Sequence, residues 1–153
     1  MGQQGETAGP AACRGLRGAT TVDIASPAAV ADATGELLDA LVGANDCRLD
    51  DVAAAIFTLT DDLSGRAGGD GSVANPAAAA RARGWESVPM LSVREQAGDG
   101  SLPRCIRVLI LWNTARSQLD VRHVYLRGAT ALRPDLSDPQ RSNPVLSPQR
   151  AET

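Results

Sequence analysis

The chain has 153 residues, of which 43% are hydrophobic and only 3% aromatic, so it is long enough for one domain with a hydrophobic core. Its net charge of −3 offers no basic surface of the kind that binds nucleic acid. All 15 cationic residues are arginines, so any anion site must be built from planar guanidinium groups. An apolar content dominated by alanine buries little area per residue, which favours completing the core by oligomerisation.

The chain lacks the marks of export and of a metal centre. No segment approaches the ~20 apolar residues of a membrane span, and no cationic stretch followed by an apolar run indicates a secretory signal. Cys13, Cys47 and Cys105 are too far apart for a redox pair or a zinc cluster. We therefore expect a reduced, cytoplasmic protein without a metal.

The N-terminal third predicts an extension, a strand and a helix. Residues 1–13 are rich in Gly, Gln and Ala and are expected to be disordered. Residues 16–24 predict the first strand. Ser26 and Pro27 provide the cap and first-turn proline of a helix over 28–44. Its apolar positions share one face: Val30, Ala33, Leu37, Leu38 and Leu41.

The middle of the chain predicts a strand, a loop and a short helix. Residues 52–60 form a nearly continuous apolar run, which is typical of a strand covered on both faces. The glycine-rich residues 64–75 show no pattern and predict a loop. A short helix is expected from Pro76 to Arg83, with Gly84 closing it.

The C-terminal half predicts three more strands, over 88–93, 104–113 and 121–126, with a loop over 98–103. Alternating strands and helices indicate a mixed α/β or α+β domain with one mixed sheet and helices on one side. The domain is expected to cover residues 14–136. Recurrent prolines among Ser, Asp and Gln predict a flexible tail over 137–153.

Arg107 is the most informative residue of the chain. On a strand it shares a face with Cys105 and Leu109, and this face is otherwise apolar. An unpaired buried charge is costly, and arginine does not lose its proton. Either a carboxylate of the protein or an anionic ligand must therefore meet the guanidinium.

Familiar catalytic motifs are missing. His123, on one strand face with Val121 and Tyr125, has no nucleophile motif nearby, and a histidine in such a place is more often a hydrogen-bonded core residue. The glycine cluster at 68–71 lacks the spacing and the lysine of a phosphate loop, so a flexible loop is the better interpretation. Glu95 has no carboxylate partner for glycosidase chemistry.

What remains is a set of anion-binding groups with one acid and no activated nucleophile. Such a set is suited to holding a small dianion and stabilising charge that develops on an oxygen, in a reaction without proton transfer. Its members are Arg17, Arg81, Arg107, Arg133, Glu95, Tyr125 and Ser92.

Several blocks, in this order along most of the chain, resemble the monofunctional chorismate mutases of the trimeric α/β type, the Bacillus-type family. They are Arg17-Gly18-Ala19-Thr20-Thr21-Val22, Thr60-Asp61-Asp62-Leu63, Gly84-Trp85 with Val88-Pro89, Gly100-Ser101-Leu102-Pro103-Arg104-Cys105-Ile106-Arg107-Val108, Arg122-His123-Val124-Tyr125-Leu126, and Leu132-Arg133-Pro134-Asp135-Leu136.

The resemblance implies an isomerase that rearranges chorismate to prephenate for phenylalanine and tyrosine synthesis, without a cofactor. It also implies a homotrimer, a pseudo-α/β barrel with active sites between subunits. Arg107 would bind the ether oxygen, where negative charge grows, and a substrate carboxylate. Arg17 and Tyr125 would hold the side-chain carboxylate, and Glu95 would accept the hydrogen bond of the ring hydroxyl. Further substrate contacts are expected at Ser92, Arg81, Arg133, Leu132, Ala77 and Asn75.

The departures from the family pattern lie in one region, the rim of the pocket. Asn75 stands where an aromatic residue is usual, Ala78 replaces a lysine, and the loop over 64–75 is longer. This leaves two alternatives open. One is an enzyme of the same fold acting on a chorismate-like acid in a secondary pathway. The other is a non-catalytic module that binds a metabolite and regulates a partner.

Overall fold

We describe a computed structural model of the chain over residues 9–64, 73–96 and 98–136. In these residues five strands, here β1 to β5, form one sheet. Their bounds are Ala12–Thr21 (β1), Val52–Leu59 (β2), Met90–Arg94 (β3), Cys105–Thr114 (β4) and Val124–Tyr125 (β5).

The strand order is β3-β2-β4-β1-β5, with β4 in the centre. β4 runs antiparallel to β1 and β2. The outer strands β3 and β5 are parallel to their neighbours β2 and β1. The predicted single mixed sheet is therefore confirmed, and the long strand with Arg107 lies at its middle.

Among the described residues, three helices accompany the sheet, at Pro27–Asn45 (α1), Asp61–Ser64 (α2) and Pro76–Arg81 (α3). The prediction for α1 is confirmed, because Ser26 Oγ accepts a hydrogen bond from the Ala29 N–H at 3.1 Å and Pro27 opens the first turn. All five predicted apolar positions of α1 are buried. Short 3₁₀ turns occur at Leu49–Asp51, Gln118–Asp120, Arg127–Leu132 and Pro134–Leu136.

The core lies between the helices and one face of the sheet. Strand residues such as Leu16, Phe57 and Ile110 pack there with leucines of α1. Gly18 on β1 allows this close approach, because a Cβ at that position would come within 2.7 Å of Leu41 Cδ1. The helices thus cover one side of the sheet, as predicted.

The opposite face of the sheet is partly open in the chain: the turn at Arg127–Leu132 covers one end of it, and the described residues leave the rest open. Leu91, Val93 and Leu109 on this face are 61%, 42% and 37% exposed, and Ile56 of β2 is half-buried. The prediction that β2 is covered on both faces is wrong for the chain taken alone, since its continuous apolar run serves the core on one side and this open face on the other.

Several predicted boundaries move. β1 begins at Ala12, so residues 12 and 13 of the expected extension pair with Thr114 and Asn113 of β4. The strand predicted over 121–126 is reduced to Val124 and Tyr125. α3 ends at Arg81, and Gly84 follows with φ of +92°. Most of the predicted extension, the glycine cluster at 68–71 and the tail over 137–153 lie outside the described residues.

Candidate active site

Arg107 projects from β4 onto the open face, where its guanidinium forms an ion pair with Glu95. Glu95 follows β3, and its backbone N–H donates to the Leu59 carbonyl at 2.8 Å, which holds it beside the end of β2. The side chain of Glu95 is only 15% exposed and that of Arg107 is 36% exposed. The prediction that Arg107 requires an anionic partner is therefore confirmed, and the partner is a carboxylate of the chain itself.

Thr58 of β2 is the third member of this group. Its hydroxyl donates to Glu95 Oε2 at 3.0 Å, while Oε1 of the same carboxylate accepts from Arg107 Nη1. Thr58 and Arg107 are direct partners across the β2–β4 ladder. Sequence reasoning missed Thr58, although its alternation with Ile56 places both side chains on one strand face.

These side chains border a cavity of about 550 Å³ on the open face. Arg17 reaches it from β1, next to Leu109 of β4 in the ladder. In the described part of the chain no carboxylate forms an ion pair with Arg17. The cavity is lined by Arg17, Gly18, Ala19, Ile56, Thr58, Glu95, Arg107, Val108, Leu109, Tyr125, Leu132 and Arg133.

Tyr125 and Leu132 form the side of the cavity next to β1. Both pack against a small buried cluster of Ala19, Cys105 and Ala129. Burial, and secondarily the charge of Asp62, raises the pKa of the Cys105 thiol to about 11. Cys105 is therefore protonated at neutral pH and serves as packing rather than as a nucleophile.

Arg133 lies at the mouth of the cavity and is already engaged by a carboxylate. Its Nε and Nη2 donate to the two oxygens of Asp135 at 3.0 and 2.9 Å. This bidentate hydrogen bonding, followed by the charge of Asp135, raises the pKa of Arg133. A substrate carboxylate that binds Arg133 must therefore compete with Asp135 or share the guanidinium with it.

His123 does not line the cavity and instead contacts the backbone of Arg17. Its Nδ1 accepts a hydrogen bond from the backbone N–H of Arg17 at 3.0 Å. Burial, together with the nearby charges of Arg17 and Arg133, lowers the pKa of the imidazole. The interpretation of His123 as a hydrogen-bonded residue without a catalytic role fits this geometry, because its imidazole is bonded to the backbone.

The other predicted contacts lie apart from this cavity. Asn75 caps α3, its Oδ1 accepting from the Ala78 N–H at 3.2 Å, and the Ser92 hydroxyl lies 3.3 Å from the same oxygen. Ala77 is buried in the main core. Arg81 ends α3 and is exposed. A single chain therefore brings together six of the predicted site residues and leaves Asn75, Ala77, Arg81 and Ser92 in a second group around α3 and β3.

The described residues contain no cluster of three or more His, Cys, Asp or Glu side chains able to hold a metal ion. The same part of the chain has no helix with the length and apolar character needed to cross a membrane.

Fold and cavity define a class: a small α+β domain in which three arginines line one cavity beside an oriented carboxylate. Comparison with known proteins gives the family. The model of chorismate mutase type I matches residues 13–136, so the chain belongs to the chorismate mutase type I family, and the resemblance in its motifs is confirmed.

Three relatives agree with this assignment. The chorismate mutase AroH of Thermus thermophilus is 51% identical over 128 residues, covering 83% of this chain and 98% of the relative. The chorismate mutase AroH of Bacillus subtilis is 36% identical over 125 residues, covering 81% and 92%. The solved structure of a chorismate mutase from Clostridium thermocellum matches with a TM-score of 0.69 and 38% identity, covering 76% of this chain and 97% of that one.

Proposed function

We propose that this chain, a chorismate mutase by family, rearranges chorismate to prephenate in the cavity on the open face of the sheet. The observation that carries this proposal is the pairing of Arg107 with Glu95 at the cavity wall, with Arg17 facing the same space. Prephenate leads to phenylalanine and tyrosine, so the protein acts in aromatic amino-acid biosynthesis.

The reaction breaks the ether C–O bond of chorismate as a C–C bond forms, and no proton is transferred. The protein therefore has two tasks: to hold the reactive conformer and to stabilise negative charge on the ether oxygen. Arg107 is the group we assign to that oxygen. Glu95 retains lone pairs beyond those bonded to Arg107 and Thr58, so it can also accept the ring hydroxyl.

The remaining groups of the cavity position the substrate. Arg17 and Tyr125 hold the side-chain carboxylate, Leu132 packs against the ligand, and Arg133 adds positive potential at the mouth. This division is supported by the placement of all four residues at one end of the cavity wall, next to β1 and the turn at Arg127–Leu132.

A homotrimer accounts for the second group of site residues. The open face exposes Leu91, Val93 and Leu109, an apolar surface that a neighbouring copy of the chain can cover. We infer that the α3 and β3 region of one subunit, with Arg81, Ser92 and Asn75, completes the cavity of the next. Each active site is then shared between two subunits of a closed ring.

The two alternatives have no observation in their favour. The family match and the relatives support chorismate as the substrate, and the Arg107–Glu95–Thr58 group goes beyond what carboxylate binding requires. We further infer a cytoplasmic location, which is supported by the three free cysteines.

The test is direct turnover of chorismate. Purified, EDTA-treated and dialysed protein should remove the absorbance of chorismate, with prephenate identified as the product by chromatography. An Arg107→Ala preparation made in parallel controls for mutase from the expression host and should be nearly inactive. A folded wild-type protein that leaves chorismate unchanged would overturn the proposal.

A further inference from the structure

We propose that His123 is a positioning residue that fixes Arg17 for the substrate carboxylate, acting through the Arg17 backbone. The inference rests on the proposed function for the role of Arg17, but the contact itself is a property of the fold. It lies at the edge of β1, where the sheet ends.

The hydrogen bonding of β1 along its outer edge changes at Arg17. Its pairing with β5 covers only Gly18 with Val124 and Ala19 with Tyr125, and Leu126 N–H donates to the Ala19 carbonyl at 2.9 Å. The backbone pairing between β1 and β5 does not extend to Arg17, the residue before Gly18. The Arg17 N–H is bonded instead to the imidazole Nδ1 of His123 at 3.0 Å, so a side chain takes the place of a strand.

The segment that carries His123 is itself held in place by α1. The amide of Asn45, fully buried at the end of α1, bonds both backbone groups of Arg122. Its Oδ1 accepts from the Arg122 N–H at 2.8 Å and its Nδ2 donates to the Arg122 carbonyl at 2.9 Å. Because Nδ2 also donates to the Leu41 carbonyl, α1 fixes the residue before His123.

The contact also depends on the charge of the imidazole. Only the neutral ring, with its proton on Nε2, can accept at Nδ1. The charged groups acting on it among the described residues are Arg17 from β1 and Arg133 after the Arg127–Leu132 turn. Both are cationic. Arg17 and Arg133 thus both favour the neutral imidazole, whose Nδ1 accepts the hydrogen bond from the Arg17 N–H.

The consequence for the reaction is specific. The substrate carboxylate is present in both the ground state and the transition state, so a misplaced Arg17 weakens both equally and raises KM rather than lowering kcat. Loss of one hydrogen bond of this kind should raise KM about five-fold.

His123→Leu and His123→Asn form the matched pair that tests this. Leucine keeps the branching of the side chain without an acceptor, whereas asparagine can place Oδ1 near the position of Nδ1. His123→Leu should raise KM about five-fold with kcat nearly unchanged, and His123→Asn should stay close to wild type. In an Arg17→Ala background, His123→Leu should have little further effect on the residual activity.

Amide NMR tests the contact independently of catalysis. In ¹⁵N-labelled wild-type protein the Arg17 amide resonance should move with the titration of His123, and in His123→Asn it should not. An Arg17 amide that ignores the titration overturns the proposal, as do two variants equally impaired or both unimpaired. Failure of the wild-type protein to convert chorismate would contradict the proposed function alone. The shift of the Arg17 amide resonance would still test whether His123 bonds to the Arg17 backbone.

Discussion

Thr58 and Arg107 hold the two oxygens of one carboxylate. The Thr58 hydroxyl lies 3.0 Å from Glu95 Oε2, and Arg107 Nη1 bonds to Oε1. Because the two residues face each other across neighbouring strands, the plane of the carboxylate is set by the sheet before any substrate arrives. Such fixed orientation is what electrostatic stabilisation of a transition state requires.

Removing the Thr58 hydroxyl should loosen Glu95. Thr58→Val keeps the shape of the side chain but lacks the donor, so we expect kcat/KM to fall about three- to ten-fold. Thr58→Ser keeps the donor and should retain most of the activity. Steady-state kinetics on both variants gives the comparison, and equal losses would show that the methyl group matters rather than the hydroxyl.

Arg107→Lys should be strongly impaired although the charge is kept. Lysine cannot bind Glu95 and the ether oxygen with one planar group, and loss of a preorganised donor costs ~10²–10³ in rate. The loss should appear in kcat. Arg14→Lys, on β1 and bonded to the Arg116 carbonyl, is the control and should stay active. An unchanged kcat in the Arg107 variant would contradict its role at the ether oxygen.

The shared active site predicts complementation between two defective chains. Arg81→Ala damages the group near α3, and Arg107→Lys damages the group on the open face. If subunits mix at random in a closed trimer, about a quarter of the interfaces combine two intact halves. Mixed chains, unfolded and refolded together, should therefore recover about a quarter of wild-type activity.

The control for this experiment is a pair with both defects on one side. Arg17 and Arg107 line the same cavity of one chain, so mixtures of Arg17→Ala with Arg107→Lys should recover nothing. Recovery in both mixtures, or in neither, would contradict a site divided as proposed. Light scattering on the wild-type protein should give the mass of three chains.

Asp135 should weaken the electrostatic attraction between the cavity mouth at Arg133 and a dianionic substrate. It occupies Arg133 through two hydrogen bonds and adds a negative charge near the entrance. Asp135→Asn should lower KM about two- to five-fold at low salt, and the gain should fade as ionic strength rises. Asp50→Asn changes the net charge equally, at a carboxylate that instead pairs with Arg48, and should leave KM unchanged. An unchanged KM for Asp135→Asn would show that Arg133 does not contact the substrate.

His123 should make the fold sensitive to acid. Its pKa is lowered in the folded state from an ordinary value of 6.5, so below that pH the unfolded chain binds the proton more readily. Stability is then full above about pH 6.5 and falls as the pH drops further, by at most about 1.4 kcal/mol per pH unit. Urea unfolding at pH 7.5 and 5 should show a smaller decline for His123→Asn than for wild type. Equal declines would contradict this contribution.

Local signals predicted α1 and α3 well, missed the single turn of α2, and predicted the strand edges less well. Ser26, Pro27 and the apolar spacing of α1 are sufficient to predict the helix, because capping and periodicity are properties of adjacent residues. The strand expected over 121–126 fails at Arg122 and His123 for a reason that sequence does not show. The side chain of Asn45, 77 residues away, takes the backbone bonds of Arg122, and no strand pairing is left for it.

The residues of the candidate site also differ in whether local sequence could predict them. Arg107 could be recognised from its own strand, because a charge among alternating apolar residues stands out. Thr58 could not, since its importance depends on β2 lying beside β4 and on Glu95 reaching across from the end of β3. Strand order is a long-range property, and only the assembled sheet makes Thr58 a neighbour of the carboxylate.

Gly18 makes β1 a poor place to engineer thermostability. It lies on the core side of the strand, against Leu41, while the next residue back is Arg17 on the site side. A Gly18→Ala change, which elsewhere stabilises by restricting the unfolded chain, would here push α1 away and displace the backbone that carries Arg17. Stabilising substitutions are better directed to the solvent side of α1, for instance at Asp32. A substitution there changes neither the core nor a strand that carries a candidate site residue.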